Sequence, residues 1–249
     1  MLARLFAQYA MEPVGFYDLV PAGLPVYSTA FRPVTTDGLT ASPFRVFCSL
    51  LRPELIDDVA VREKLGGALA TRRIVAARLE ALIEGAEARG DVDEEDAEEF
   101  LSLSVDVFRW SGRARVDPET YSHFAASHRL IADVAAFPGP HINHLTPSAL
   151  DIDAVQARMV AADIGAKTVI EGPPPRRCPI LLRQTAFNAV EEEVAFPAAD
   201  GRVELGSHTA RFGEVEQRGA ALTPAGRELY DACLAEAQAS RSPTGGRDP

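Results

Sequence analysis

The stretch GPHINHLTP, residues 139–147, places His141 and His144 three apart between prolines. On a helix that spacing would put both imidazoles on one face, ready to share a metal ion. Pro138, Pro140 and Pro147 instead favour extended backbone, and in a strand residues three apart point to opposite faces. At most one of the two is then a ligand, and the other packs or hydrogen-bonds. The competing reading makes each a satisfied structural histidine. A second stretch, HTARFGEVEQRG (residues 208–219), alternates as a strand. One face carries His208, Ala210, Phe212, Glu214, Glu216 and Arg218, and the other carries Thr209, Arg211, Gly213, Val215 and Gln217. Carboxylates on a face with Phe and Ala are costly unless exposed, paired with arginine or bound to a metal. Two histidines and one carboxylate leave open positions on iron(II), where oxygen and a 2-oxo acid can bind. A zinc hydrolase built on His141, His144 and a glutamate is disfavoured by the same strand parity.

Bulk composition narrows the alternatives. The 249-residue chain has 25 Lys and Arg against 36 Asp and Glu, a net charge of −11. Non-specific nucleic-acid binding needs a basic surface that displaces counterions, so this balance argues against it. The three cysteines, Cys48, Cys178 and Cys233, form no CxxC pair, which fits a reducing cytoplasm rather than a disulfide framework or zinc ribbon. No apolar run approaches a membrane span. The opening MLARLFAQYAMEPVG is interrupted by Arg4 and Gln8 and reads as an amphipathic helix with Leu2, Leu5, Phe6 and Tyr9 on one face.

The elements that must position these residues follow in order. A helix over residues 2–11 precedes strands at VGFYDLV and LPVYSTAF. Residues 42–133 read as helical. One long pattern ends on Gly90, a second helix has its acidic residues in the first turns, and a third is capped by Asp117 with Pro118 at its first position. The strand carrying His144 and an amphipathic helix ending at Gly165 come next, then strands KTVIEG and CPILLRQTAF, then the strand from His208. A last helix starts at Thr223 and Pro224, and the tail SRSPTGGRDP has a disordered composition. ARLFAQYAMEPVGFYDLVPAGLPVYSTAF and ARMVAADIGAKTVIEGPPPRRCPILLRQTAF share an order of elements, which implies two copies of one module around the helical block. By that symmetry the first copy lacks its opening strand. The predicted organisation is an incomplete first module (1–41), a helical insertion (42–136), a second, metal-binding module (137–222), a C-terminal helix (223–239) and a tail (240–249).

VGFYDL, STAFRPV, PFRVFCSLLRPELI, GPHINHLTP, LDIDAVQARM, IEGPPPR, PILLRQTAF and HTARFGEVEQRGAALT together resemble the 2-oxoadipate dioxygenase/decarboxylase family, from about residue 3 to residue 235. The resemblance implies an α+β fold like that of the vicinal oxygen chelate proteins, with paired βαβββ modules, the large helical insertion and an incomplete first module. It implies an iron(II) enzyme that converts 2-oxoadipate and O2 to 2-hydroxyglutarate and CO2 in lysine breakdown. One metal histidine of the family falls on His144. The metal glutamate falls within GEVEQRG, on Glu216 because related dioxygenases place it after an apolar residue late in this strand, with Glu214 next. The distal carboxylate of a small 2-oxo dicarboxylic acid would meet an arginine, and Arg183 and Arg218 are the local candidates; each could equally be a surface ion pair. His141 with Asn143 would orient ligands by hydrogen bonds, while His123 and His128 read as structural.

The family's first metal histidine and a substrate arginine lie in a segment upstream of LARLF, and the family continues beyond the last helix. The resemblance therefore implies a chain truncated at both ends, with Tyr27 where histidine is usual and Ser148 where arginine is usual. Two hypotheses stand: a fragment of an iron dioxygenase, or a non-catalytic remnant that binds a partner or dimerises. Two remaining ligands cannot close the facial site, so this chain with added iron(II) is expected to turn over 2-oxoadipate negligibly. A cytoplasmic location without membrane or nucleic-acid partners is expected, and homo-oligomerisation is left open.

Overall fold

A computed structural model describes residues 1–139, 142–198, 200–210 and 213–240, the side chains of residues 22 and 142–145 excepted. Within these residues the chain mixes helices and antiparallel sheet, as the α+β reading expects, and divides into two compact units. One comprises Met1–Ser148 with Ala186–Glu214, the other Ala149–Thr185 with Val215–Pro249.

The first unit is built on a four-stranded antiparallel sheet in the order β1 (Glu12–Asp18), β2 (Val26–Arg32), β3 (Phe44–Leu51), β4 (Ile142–Pro147). Strands at VGFYDLV and LPVYSTAF were expected and form β1 and β2. β3 falls inside the stretch read as helical from residue 42. Its burial alternates poorly because both faces are largely covered, so FRVFCSLL shows no period of two that would mark it. Helix α1 (Leu2–Ala7) lays Phe6 on one face of the sheet, 5.0 Å from the Phe31 ring and packed with Val46 and Cys48. On the opposite face the buried hydroxyls of Ser28 and Ser49, cross-strand partners, satisfy each other at 2.7 Å.

The expected long helices break into shorter ones. After α2 (Thr36–Ala41), α3 (Val59–Ala70) and α4 (Ala77–Arg89) are separated by a turn whose Val75 is buried among Leu79, Ile83 and Phe100. Burial of each such side chain is worth about 1.5–3 kcal/mol, more than the helix propensity of the turn it interrupts. Gly90, at φ +92, ends α4 in the left-handed conformation that a helix C-terminus favours, as expected. α5 (Ala97–Phe108) begins with Glu98 and Glu99 in its first turn. The single helix predicted from Asp117 is two, α6 (Pro118–Ser127) and α7 (Arg129–Ala136). His128 is extended between them and its Nδ1 accepts the Leu130 N–H at 3.0 Å, so it caps the second helix. Phe124, fully buried against Val61, Leu65 and Ile131, ties α6 to α3 and α7. The hairpin β6 (Val190–Pro197) and β7 (Val203–Ala210) completes this unit and was not anticipated before His208.

The second unit holds α8 (Ile152–Ala161) and α9 (Pro224–Ser240), together with most of the paired strands β5 (Leu182–Ala186) and β8 (Glu214–Arg218). Asp151 caps α8 by accepting the Ala154 N–H. Thr223 accepts the Gly226 N–H at the start of α9, as the Thr-Pro pair predicts. The expected strand KTVIEG reduces to one bridge, Glu171 to Gln184. The predicted strand from His208 to Gly219 is two strands in separate sheets. Gly213, at φ +91, adopts a conformation that ends an extended run. The predicted tail lies outside the described residues from 241 onward.

Candidate metal centre

β8 sets Glu216 at the centre of the second unit's small sheet. Its neighbour after the strand, Gly219, is held so close to the segment before β5 that an added Cβ would lie 2.6 Å from the Pro179 carbonyl carbon. The Gly219 N–H donates to the Leu181 carbonyl at 2.5 Å, which pins the end of β8 to the entry of β5. The Glu216 carbonyl accepts the Ala149 N–H at 2.7 Å. Backbone rigidity here is what an ordered side chain needs. The Glu216 side chain is 1% exposed, and Arg218, two residues on and on the same strand face, donates its Nε to Glu216 Oε1 at 2.6 Å. A carboxylate this deeply buried is tolerated because a cation stands against it.

The other face of the ladder turns toward α8. Gln217 accepts the Ile152 N–H at 3.1 Å through its side-chain oxygen. Arg183 on β5 forms a two-pronged ion pair with Asp153, in the first turn of α8, at 2.6 and 3.1 Å. Its guanidinium holds the Asp153 carboxyl below its usual range, through that hydrogen bond. Gln217 and Glu216 alternate across β8, so Arg183 and the Glu216 carboxylate serve opposite faces. Of the two candidate arginines, Arg218 meets the candidate ligand and Arg183 meets a helix. Asp153 and Gln217 had no motif to mark them; Asp153 carries only the weak signal of an acid in a first helical turn.

The remaining candidates are distributed as follows. Glu214 is half-buried at the start of β8. His144 lies in β4, with its side chain outside the described residues; Pro140, His141, Arg211 and Phe212 are not among the described residues. His208, expected on a face with Glu214 and Glu216, stands instead in β7 of the first unit. There its ring is buried, stacked on Trp110 at 5.6 Å and 4.8 Å from Phe137. Its Nδ1 shares a hydrogen bond with the Tyr121 hydroxyl at 2.8 Å, and its Nε2 stands 3.3 Å from Asp133 Oδ1. Burial, with the Asp133 and Glu191 charges, raises the Tyr121 hydroxyl pKa above its ordinary value. His123 Nε2 lies 4.0 Å from Asp58, and His128 is the cap described above; both serve structure. Among the described residues, no group of three or more His, Cys, Asp or Glu side chains is placed to hold a metal, and no helix is long and apolar enough to cross a membrane.

Comparison with known proteins places this arrangement. The family model for 2-oxoadipate dioxygenase/decarboxylase matches residues 1–248. The chain belongs to that family. A 2-oxoadipate dioxygenase/decarboxylase of Pseudomonas putida is 58% identical over 233 residues, covering 94% of this chain and 50% of the relative. One of Escherichia coli is 52% identical, covering 95% and 52%, and one of Mycobacterium tuberculosis 42% identical, covering 95% and 58%. The chain thus spans about half the length of the curated relatives it matches. The crystal structure of the P. putida hydroxyglutarate synthase in complex with 2-oxoadipate superposes with a TM-score of 0.84 at 52% identity, over 96% of this chain and 53% of that one. A putative glyoxalase superfamily protein of Ralstonia eutropha, 18% identical, superposes with a TM-score of 0.66 over 87% of this chain and 64% of that one. At that identity the likeness concerns the fold of the 2-oxoadipate family alone.

Proposed function

We propose that this chain carries part of an iron(II) site that acts on 2-oxoadipate, with Glu216 and His144 as metal ligands and Glu214 as the alternative carboxylate. The observation that carries the reading is a wholly buried glutamate, on a rigid strand, within a chain that the family model matches from end to end. An anionic oxygen of this kind suits a hard divalent cation, and with imidazole it belongs to the donor set of iron(II) oxygenases. A facial site of this kind takes one further imidazole beside His144. The overall reaction balances as 2-oxoadipate plus O2 giving 2-hydroxyglutarate plus CO2. Bound iron(II) would supply open positions for the substrate's 2-oxo acid group and for oxygen, and the redox chemistry that couples decarboxylation to hydroxylation.

This chain's own residues bind and orient. Glu216 presents a buried carboxylate from β8, while the Arg183–Asp153 pair braces the α8 side of the same sheet. The folding pattern is read as paired vicinal-oxygen-chelate-like modules, an incomplete first over residues 1–41 and a second over residues 137–222, with the helical insertion between them. The cellular reading is cytoplasmic lysine catabolism. The test is a titration of the purified chain with Co(II) or Fe(II) under anaerobic conditions. The expected result is weak binding that His144→Ala and Glu216→Gln each abolish. Binding indifferent to both substitutions would sink the assignment.

A further inference from the structure

We propose that Tyr121 and His208 form a one-electron redox site: an oxidant takes an electron from the Tyr121 ring while the phenol proton passes to His208 Nδ1. This goes beyond the metal reading and stands on residues of the first unit alone. The Tyr121 hydroxyl and His208 Nδ1 lie 2.8 Å apart, and His208 Nε2 stands 3.3 Å from Asp133 Oδ1. A carboxylate only accepts, so in the neutral ring Asp133 favours the tautomer with its hydrogen on Nε2. Nδ1 is then the acceptor, and the Tyr121 O–H donates to it. Helix α6 supplies the phenol, α7 the carboxylate and β7 the imidazole, so three elements bring them into one row. His208 is buried between the Trp110 and Phe137 rings, so solvent does not compete for the proton.

A phenol that loses an electron becomes a strong acid, and a tyrosyl radical forms readily where a base is placed to take the proton. Burial, with the Asp133 and Glu191 charges, holds the Tyr121 pKa above its ordinary value, so no tyrosinate supplies the electron at neutral pH. The proton therefore leaves with the electron. The Tyr121 O–H bond breaks, an Nδ1–H bond forms on His208, and the electron goes to the oxidant. The products are a neutral tyrosyl radical, an imidazolium that faces Asp133, and the reduced oxidant. Of the five tyrosines, Tyr121 is the one that hydrogen-bonds a histidine among the described residues; Tyr9, Tyr17, Tyr27 and Tyr230 do not. The matching oxidants are one-electron acceptors such as the radicals that oxygen chemistry releases, and the family is one of dioxygenases.

The experiment oxidises the whole purified chain with photogenerated tris(bipyridine)ruthenium(III) at neutral pH and follows the radical by electron paramagnetic resonance and transient absorption. Wild type should give a tyrosyl radical that forms more slowly in deuterated water. Tyr121→Phe, which keeps the ring and its contact with Phe196, should lose most of that signal. His208→Gln should form the radical about 100-fold more slowly, the usual loss when a positioned base is removed. Asp133→Asn, which withdraws the charge facing the imidazolium, should fall between the two. A purely structural Tyr121–His208 bond would lower the melting temperature of these variants and leave the oxidation rate unchanged. A Tyr121→Phe chain with the wild-type signal overturns the site, and so does a folded His208→Gln chain oxidised as fast as wild type. Should His208→Gln fail to fold, the solvent comparison on wild type and Tyr121→Phe decides. A radical that depends on Tyr121 and forms more slowly in deuterated water supports the coupled transfer; equal rates in the two solvents refute it.

Discussion

Substituting His208 by alanine should cost stability and leave metal binding untouched, although the sequence places this histidine in the same stretch as Glu216. In the structure His208 is 7% exposed and occupies the junction of the β6–β7 hairpin with the helices. Its hydrogen bond to Tyr121, at 2.8 Å, is worth about 1 kcal/mol net, and a half-buried hydroxyl deprived of its partner costs about 1 more. Ring contacts with Phe137 and Trp110, at 4.8 and 5.6 Å, contribute about 0.5–1.5 kcal/mol beyond area burial. The sum is about 3 kcal/mol, a large share of the ~5–15 kcal/mol that holds a domain together. For a chain of this size that corresponds to a fall in Tm of about 6–12 °C. Urea unfolding followed by far-UV circular dichroism should show a lower midpoint at unchanged slope. Tyr121→Phe should lose about 1 kcal/mol, and the double variant should lose less than the sum, because both remove one bond. A His208→Ala protein within about 0.5 kcal/mol of wild type, or one that loses Co(II) binding at full stability, would refute the reasoning.

Further expectations concern caps, thiols and the second arginine. Asp117→Ala should destabilise the chain by about 1 kcal/mol, the usual value of an N-cap. Its carboxyl pKa is held below 3.8 mainly by the Thr120 N–H, so the contribution is intact at neutral pH and fades as pH falls through that lowered value. Urea midpoints of wild type and variant should therefore converge in acid. In a thiol assay at pH 8, exposed Cys178 and Cys233 should react quickly, while Cys48, buried with its thiol pushed up to about 12, should react only after denaturation. A native chain with three fast thiols would contradict the packing of β3. Arg183→Met should cost about 1 kcal/mol or less, since Asp153 is 54% exposed and water screens the pair. Its Co(II) affinity should match wild type, because the pair braces α8 and does not touch the candidate ligand.

Local chemistry was legible wherever the signal was local. Asp117 and Pro118, Thr223 and Pro224, and Gly90 mark helix ends by their own backbone preferences, and the structure puts helix ends there. β1 and β2 follow from runs of apolar residues bounded by a Pro-Ala-Gly turn. The pairing of Glu216 with arginine was among the outcomes that strand alternation required, because i and i+2 share a face in any strand. What the sequence could not decide depended on distant partners. β3 reads as helix because both its faces are covered by other segments, which removes the alternation that would betray a strand. Residues 208–219 alternate without a break on paper, yet the left-handed backbone at Gly213 precedes a change of partner: β7 pairs with β6, and β8 with β5. Hydrogen-bonded partners from elsewhere in the chain, not period, assigned His208 to a packed aromatic cluster and Glu216 to the candidate centre. Arg183 and Arg218 are equivalent as letters. Only the tertiary structure distinguished them, because α8 supplies Asp153 to the first and β8's own geometry delivers the second to Glu216.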